Sequence, residues 1–286
     1  MRIVFLIFTV LFSGYLINAQ QGKVYDNLSL ESKILDTEKK YSIYLPPDYD
    51  SSERSYPVLY LLHGLGDDHT GWVQFGEVKR IADEAIQSGD ATPMIIVMPN
   101  AKSVRNGYFN SIRDNDWNYE DFFFEEFMPY VEGKYRIKAE KRFRAIAGLS
   151  MGGGGTFIYA MHHPELFSSA CPLSAWFWWA DFEKFKEELA DGDKKVSEEK
   201  LADYFRNNHP LELVKSVSPK ELNSVKWYID CGDGDFCAIG NSLMHIAMRR
   251  GDIDHEYRVR NGGHNWSYWR LSLPEVLNFV SSTFHK

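Results

Sequence analysis

The stretch that most constrains the fold of this chain is Gly148–Gly152, whose sequence Gly-Leu-Ser-Met-Gly follows the pattern G-x-S-x-G. The preceding residues, 143–147, have the composition of a short buried strand, and the following residues, 153–163, that of a helix. In a nucleophile elbow, a strained turn between a strand and a helix lifts a serine hydroxyl clear of the sheet. Glycines on both sides allow the strand and the helix to approach closely. The pattern therefore predicts that Ser150 is a catalytic nucleophile, rather than an incidental serine in a glycine-rich turn.

A serine hydroxyl is a weak nucleophile at neutral pH, so a histidine must accept its proton. His264 is the candidate, although it is one of nine histidines and a surface-loop histidine is the alternative interpretation. It follows the strand-like run 255–260 near the C-terminus and comes directly after two glycines. A histidine after the last strand has the position expected of the catalytic base in an α/β-hydrolase.

The third member of such a site is a carboxylate that holds the imidazole in the correct tautomer. The strand-like run 225–231 contains Asp230 near its end and leads into a loop that carries Asp233 and Asp235. Because the acid usually lies a few residues beyond the strand end, we favour Asp235 over Asp233. The unused aspartates then have ordinary roles in turns.

An apolar run of strand length, 58–62, leads into a His-Gly loop at His63. A loop of this kind supplies one backbone N–H to the oxyanion, and the residue after the nucleophile supplies the other. We assign these donors to Leu65 and Met151 and expect His63 to be structural. The Asp-Asp-His run at 67–69 is a weak metal-site candidate, because it lacks a second ligand group at a defined spacing. We expect neither a metal nor a cofactor.

Residues 1–19 are predicted to be a secretory signal peptide. Arg2 provides a positive start, and the apolar run Ile3–Phe12 is too short to span a bilayer. Cleavage after Ala19 would leave a mature enzyme domain of residues 20–286, secreted or periplasmic. No cysteine stands near the cleavage site, so we expect no lipid anchor.

Composition narrows the possible partners. The formal net charge of −8 argues against a nucleic-acid partner. Three cysteines do not make a disulfide framework. Cys231 and Cys237 flank the loop of the acid and either pair in an oxidising compartment or are, with the third, small buried hydrophobic residues. The oligomeric state is not predicted.

Apolar strands alternate with helical stretches along the chain, which predicts an α/β fold with a mostly parallel sheet and helices on both faces. Residues 24–56 are predicted to form N-terminal strands and their connections. The further strands are predicted at 57–62, 94–98, 143–147, 168–174, 225–231 and 255–260. The helices are predicted near 76–88, 120–132, 152–163, 239–250 and 273–284.

A small insertion interrupts this alternation after the strand at 168–174. An aromatic run is followed by the charged stretch 181–205, which is predicted to form one or two amphipathic helices with a solvated face. The aromatic run lies at the end of a strand where ligands bind in open α/β sheets. We expect at least one of these rings to line the substrate cleft, and core packing is the alternative interpretation for some of them. The candidates for substrate contacts are Trp176, Phe177, Trp178, Trp179 and, beyond the histidine, Trp266 and Trp269.

Taken together, these motifs resemble the putative esterase family of α/β-hydrolases, which includes feruloyl, acetylxylan and enterochelin esterases, esterase D-like enzymes and mycolyltransferases. The resemblance runs through most of the chain after residue 19 and is strongest to the secreted carbohydrate esterases. By position it places the family's nucleophile on Ser150, its histidine on His264 and its acid on Asp235. The matching stretches are Tyr41–Pro47, Tyr56–Gly71, Pro93–Asn100, Tyr119–Tyr135, Arg142–Phe167 and Trp227–Trp269.

The resemblance implies a secreted serine carboxylesterase that removes feruloyl or acetyl groups from xylan-type glycans. Its partner would be an acylated carbohydrate or another small ester. A siderophore esterase or an acyltransferase on the same fold is the alternative. An S-formylglutathione hydrolase is disfavoured by the signal segment, and a non-catalytic glycan-binding module by the complete Ser, Asp and His set.

Overall fold

The computed structural model describes residues 20–102, 107–113, 117–177, 181–190 and 196–285. Within them, eight strands form one sheet in the order β1-β2-β4-β3-β5-β6-β7-β8. Strands β3 to β8 run parallel, whereas β2 pairs antiparallel with both β1 and β4. The strands are β1 (Lys23–Ser32), β2 (Thr37–Leu45), β3 (Val58–Leu62), β4 (Ile95–Pro99), β5 (Arg144–Leu149), β6 (Ser169–Leu173), β7 (Lys226–Gly232) and β8 (His255–Arg260).

The helices connect these strands and cover both faces of the sheet. One irregular helix starts at Tyr119, continues through the π-helical turn Phe122–Phe127 and ends at Lys134. The helices are α1 (Gly71–Gln74), α2 (Val78–Ser88), α3 (Tyr119–Asp121), α4 (Met128–Lys134), α5 (Met151–His162), α6 (Phe182–Ala190), α7 (Glu198–Asn208), α8 (Pro210–Ser216), α9 (Pro219–Leu222), α10 (Ala238–Arg250) and α11 (Trp266–Phe284). Among the described residues, none of the helices is both long and apolar enough to cross a lipid bilayer.

In the centre of the sheet both faces are apolar. The central strands therefore do not show alternating polar and apolar residues. In β3, Tyr60 belongs to the cluster packed beneath α5 and α8, whereas Leu59 and Leu61 belong to the cluster packed beneath α2 and α11. Successive side chains of a strand point to opposite faces, so an all-buried strand must be covered twice. The predicted α/β-hydrolase fold is thereby confirmed.

The last helix differs from the prediction. It begins at Trp266, not at 273, because the Asn265 side chain caps it by accepting a hydrogen bond from the Tyr268 N–H at 3.1 Å. Pro274 consequently lies inside the helix, not in the first turn that proline prefers. The charged stretch 181–205 does form the predicted helices, α6 and α7, whose rings pack around Phe185 and Phe205.

A histidine connects α7 to the rest of the domain. His162, at the end of α5, has Nδ1 at 2.7 Å from Glu120 Oε1 and Nε2 at 2.6 Å from the carbonyl of Asn207 in α7. Burial alone would lower the pKa of His162, but the Glu120 carboxylate and the Asn207 carbonyl raise it above its ordinary value. Both acceptors are satisfied only by the doubly protonated imidazolium.

We therefore expect α7 to loosen as His162 loses its proton. A histidine whose folded pKa is raised stabilises the fold fully below its unfolded pKa, near 6.5, and loses that contribution as pH rises through the folded value. The free energy of unfolding, measured by urea titration between about pH 6 and pH 9, should fall more steeply with pH in the wild type than in His162→Gln. Parallel profiles for the two proteins would contradict this prediction.

Candidate active site

The elbow between β5 and α5 has the strained geometry that its sequence predicts. Ser150 has φ 54° and ψ −117°, a conformation that L-residues rarely adopt. A Cβ on Gly148 would lie 2.5 Å from the Gly152 carbonyl oxygen, and a Cβ on Gly152 would lie 2.7 Å from that of Leu62. Both positions therefore require glycine, which explains in steric terms why glycines flank the serine.

The structure brings Ser150, His264 and Asp235 together beyond the carboxyl ends of β5, β8 and β7. His264 Nε2 lies 2.8 Å from Ser150 Oγ, and His264 Nδ1 lies 2.9 Å and 3.0 Å from the two carboxylate oxygens of Asp235. In the neutral imidazole, an Nδ1–H that donates to the carboxylate leaves Nε2 free to accept the serine proton. This arrangement suits transfer of that proton during nucleophilic attack.

Asp235 is buried and ionised. Burial alone would raise its pKa, but hydrogen bonds from His264, the backbone N–H of Cys237 and the Ser174 hydroxyl lower it below the ordinary value. The carboxylate therefore stays charged where it can orient and stabilise the imidazole.

The other two aspartates have different partners. Asp233 is exposed, and its Oδ1 accepts a hydrogen bond at 3.0 Å from the N–H of Gly262, in the loop that carries His264. Asp230 is fully buried in the sheet, where Arg260 and the Tyr268 hydroxyl donate to it. Neither contacts His264 among the hydrogen bonds of the described residues.

Two aromatic side chains pack on the His264 ring. The buried Trp269 meets it edge-on at 5.0 Å between ring centroids and is fixed by a hydrogen bond of 3.1 Å from its Nε1 to Ser174 Oγ. The ring centroid of Phe236 lies 4.3 Å from that of the imidazole, and the Phe236 residue is 70% exposed. Sequence reasoning missed Phe236; the available signal was an apolar ring directly after Asp235.

The His-Gly loop borders the nucleophile. A Cβ built on Gly64 would lie 3.4 Å from Ser150 Cβ. His63 is buried, with Nδ1–H donating to the Gly64 carbonyl and Nε2 accepting from the Ala101 N–H. Burial lowers the pKa of His63 to about 4, so the ring is neutral and holds the loop in place. The N–H groups of Leu65, in this loop, and Met151, at the start of α5, remain the predicted oxyanion donors.

The loop at 67–69 has ordinary turn chemistry. Asp68 Oδ1 accepts hydrogen bonds from the backbone N–H and the hydroxyl of Thr70, and His69 Nδ1 lies 3.7 Å from the same oxygen. In the described part of the chain, the one group of metal-ligand type is Asp235, Cys237 and His264. Asp235 and His264, two of its three members, already form a hydrogen bond with each other.

The three cysteines are free and buried, so the disulfide alternative for Cys231 and Cys237 does not hold. Burial raises the pKa of the Cys231 thiol to about 12. The second interpretation of the sequence, that all three are small buried hydrophobic residues, describes the structure.

A narrow aromatic pocket opens beside the nucleophile. It begins at Gly154, whose N–H bonds the Ser150 carbonyl oxygen at 3.0 Å, and at Trp176, whose N–H bonds the same oxygen at 3.0 Å. The rings that wall it come from the loop between β4 and α3 and from the insertion after β6. They include Phe109, Trp176, Phe177, Phe185, Tyr204 and Phe205.

The predicted substrate-contact residues therefore have different surroundings. Trp176 lines the pocket, whereas Phe177 also packs on Phe157 in the core, at 5.6 Å between ring centroids. Trp266 packs edge-on against Trp72, at 5.2 Å. Trp178 and Trp179, like the predicted signal segment, lie outside the described residues.

Comparisons with known proteins match the chain to a family of esterases. A family model described as "Putative esterase" matches residues 32–280. The solved structure of a ferulic acid esterase is 37% identical, with a TM-score of 0.80 and coverage of 92% of this chain and 99% of that chain.

Two curated relatives are longer proteins. An "Endo-1,4-beta-xylanase/feruloyl esterase" of Xylanibacter ruminicola is 36% identical over 132 residues, which are 44% of this chain and 18% of that relative. An esterase of Mycobacterium tuberculosis is 29% identical over 262 residues, which are 82% of this chain and 55% of that relative. The chain thus spans about half the length of one relative and about a fifth of the other.

Proposed function

We propose that this chain, which belongs to the putative esterase family, is a serine carboxylesterase that removes feruloyl groups, and with lower preference acetyl groups, from xylan-type glycans. The observation that carries the proposal is the hydrogen-bonded series Ser150, His264 and Asp235 beside an aromatic pocket. The names of the ferulic acid esterase and the xylanase/feruloyl esterase among its relatives support the substrate class.

The reaction proceeds in two halves. Ser150 Oγ attacks the ester carbonyl carbon while His264 Nε2 takes the hydroxyl proton. The tetrahedral intermediate then collapses, and His264 returns that proton to the departing sugar oxygen. Water, deprotonated by His264, next attacks the acyl-enzyme, and Ser150 leaves with the proton, which releases the free acid. The net reaction is one ester and one water giving one acid and one alcohol.

Fixed groups stabilise the charges that develop. The N–H groups of Leu65 and Met151 donate to the oxyanion, a role worth about 3–4 kcal/mol per donor in comparable sites. The ionised Asp235 stabilises the imidazolium form of His264. Every step uses groups of the chain and water, and none requires a cofactor.

The enzyme acts outside the cytoplasm. Residues 1–19 have the composition of a signal peptide, and cleavage after Ala19 would release the domain. A secreted or periplasmic location fits the substrate, because a xylan polymer is too large to be imported before it is broken down.

The aromatic pocket favours a flat aryl acyl group. Its lining includes Gly154 and Trp176, whose backbone N–H groups both bond the Ser150 carbonyl oxygen, so we place the acyl group of the substrate against the Trp176 ring. Stacked and edge-on ring contacts contribute about 0.5–1.5 kcal/mol beyond the apolar area that they bury. An acetyl group has no aryl ring and gains none of this energy.

Trp176→Ala is therefore expected to raise KM for feruloyl esters by about ten-fold, with little change for a small acetylated nitrophenol. Turnover of the wild type on a panel of feruloyl, acetyl and long-chain esters tests the substrate class directly. If Trp176 is instead a core residue, the substitution should lower stability by about 3–5 kcal/mol and depress all substrates alike. Melting temperature, measured in parallel, separates the two outcomes.

A further inference from the structure

An exposed apolar surface begins at Phe236, whose ring packs on that of His264. Phe236, Ile239 and Leu243 are 70%, 75% and 40% exposed. Ile239 and Leu243 are four residues apart on α10 and therefore share one face of that helix. A single exposed apolar side chain is ordinary, but a contiguous group of them beside a reactive centre indicates a binding surface.

These three side chains line one groove, together with Trp176 and Leu211. Trp176, Phe177 and His209 line both the groove and the acyl pocket, so the two cavities adjoin. The groove begins at Phe236, whose ring lies 4.3 Å from the imidazole of His264. The acyl pocket begins instead at Gly154, one turn of α5 beyond Ser150.

The chemistry of ester cleavage indicates which half of the ester lies next to His264. His264 Nε2 returns its proton to the departing alcohol oxygen, so the alcohol half of the ester must lie next to the imidazole during bond breaking. The acyl half stays attached to Ser150. A ring packed on the imidazole is thus positioned beside the alcohol half.

We propose that Phe236, Ile239 and Leu243 form the subsite for the sugar that carries the acyl group, an inference that rests on the proposed esterase function. The flat ring of Phe236 and the aliphatic side chains suit the apolar C–H face of a sugar ring. The described residues that line the groove include no Asp, Glu, Lys or Arg. The subsite therefore favours a neutral sugar over an acidic one.

The test compares two esters of the same acid, a feruloylated arabino-xylo-oligosaccharide and methyl ferulate. Phe236→Ala should lower the ratio of kcat/KM for the oligosaccharide to kcat/KM for methyl ferulate by roughly five- to ten-fold, mainly through a higher KM for the oligosaccharide. Phe236→Trp should restore the preference, because an indole offers an equivalent flat surface. Leu271→Ala is the matched control, since Leu271 is 69% exposed but does not line the groove.

Other results overturn the inference in recognisable ways. An equal loss on both esters, with an altered pH profile, would make Phe236 a support for His264 and leave the esterase function intact. A change of molecular mass by light scattering, with unchanged preference, would make the groove an interface between copies. If the wild type prefers acetyl esters, the kcat/KM values to compare are those for acetylated xylo-oligosaccharide and for methyl acetate. A wild type that cleaves none of these esters would refute the proposed function together with the subsite.

Discussion

Ser150→Ala is expected to lower kcat by about 10⁶-fold, to the residual rate that binding and the oxyanion donors alone provide. Without Oγ, no acyl-enzyme can form, and His264 Nε2 loses the group from which it takes a proton at 2.8 Å. The strain of the elbow lies in the backbone of residue 150, and alanine has the same backbone as serine. The substitution should therefore leave the close approaches at Gly148 and Gly152 unchanged. The measurement is single-turnover and steady-state kinetics on a feruloyl ester, with circular dichroism to verify folding.

The matched control is Ser282→Ala, which removes an exposed hydroxyl that bonds only the Phe279 carbonyl oxygen in the described structure. It should retain wild-type kcat. A natively folded Ser150→Ala enzyme with more than about a tenth of wild-type activity would refute the assignment of the nucleophile.

Asp235→Asn is expected to lower kcat on the order of 10⁴-fold. An asparagine that presents its NH₂ group to His264 Nδ1 favours the tautomer with the proton on Nε2, which then cannot accept the serine proton. Because the geometry of the loop is unchanged, the loss should appear in kcat with little change in melting temperature.

Asp233→Asn is the matched control, two residues away in the same loop. Its Oδ1 accepts from the Gly262 N–H, and an asparagine oxygen can accept the same bond. We expect nearly wild-type activity. The reverse pattern would transfer the role to Asp233, and two small effects would mean that the acid lies elsewhere in the chain.

The residues that the structure brings together at Ser150 could be predicted because their requirements are local in sequence. The elbow needs glycines at fixed offsets from Ser150, and the clashes that a Cβ would cause at Gly148 and Gly152 show why. The acid and the histidine each follow a strand of the parallel sheet. Parallel strands place their carboxyl ends at one edge, so chain order alone predicts that these side chains meet.

Other features depend on contacts between distant segments, which no local pattern records. Phe236 follows Asp235 in sequence, but its ring contact with His264 arises only because β7 and β8 are neighbours. The bond from His162 to Asn207 likewise joins the end of α5 to the insertion. The predicted start of the last helix was near 273, whereas the cap formed by Asn265 begins α11 at Trp266.

The most direct test of the proposed reaction is rapid acid quench of the enzyme after mixing with a feruloylated arabino-xylo-oligosaccharide, followed by peptide mass spectrometry. We expect a mass gain equal to one feruloyl group on the peptide that carries Ser150, formed before ferulate release reaches steady state. The gain should be absent in Ser150→Ala. Ferulate release at the wild-type rate by Ser150→Ala, or a feruloyl group on a different residue in the wild type, would contradict the proposal.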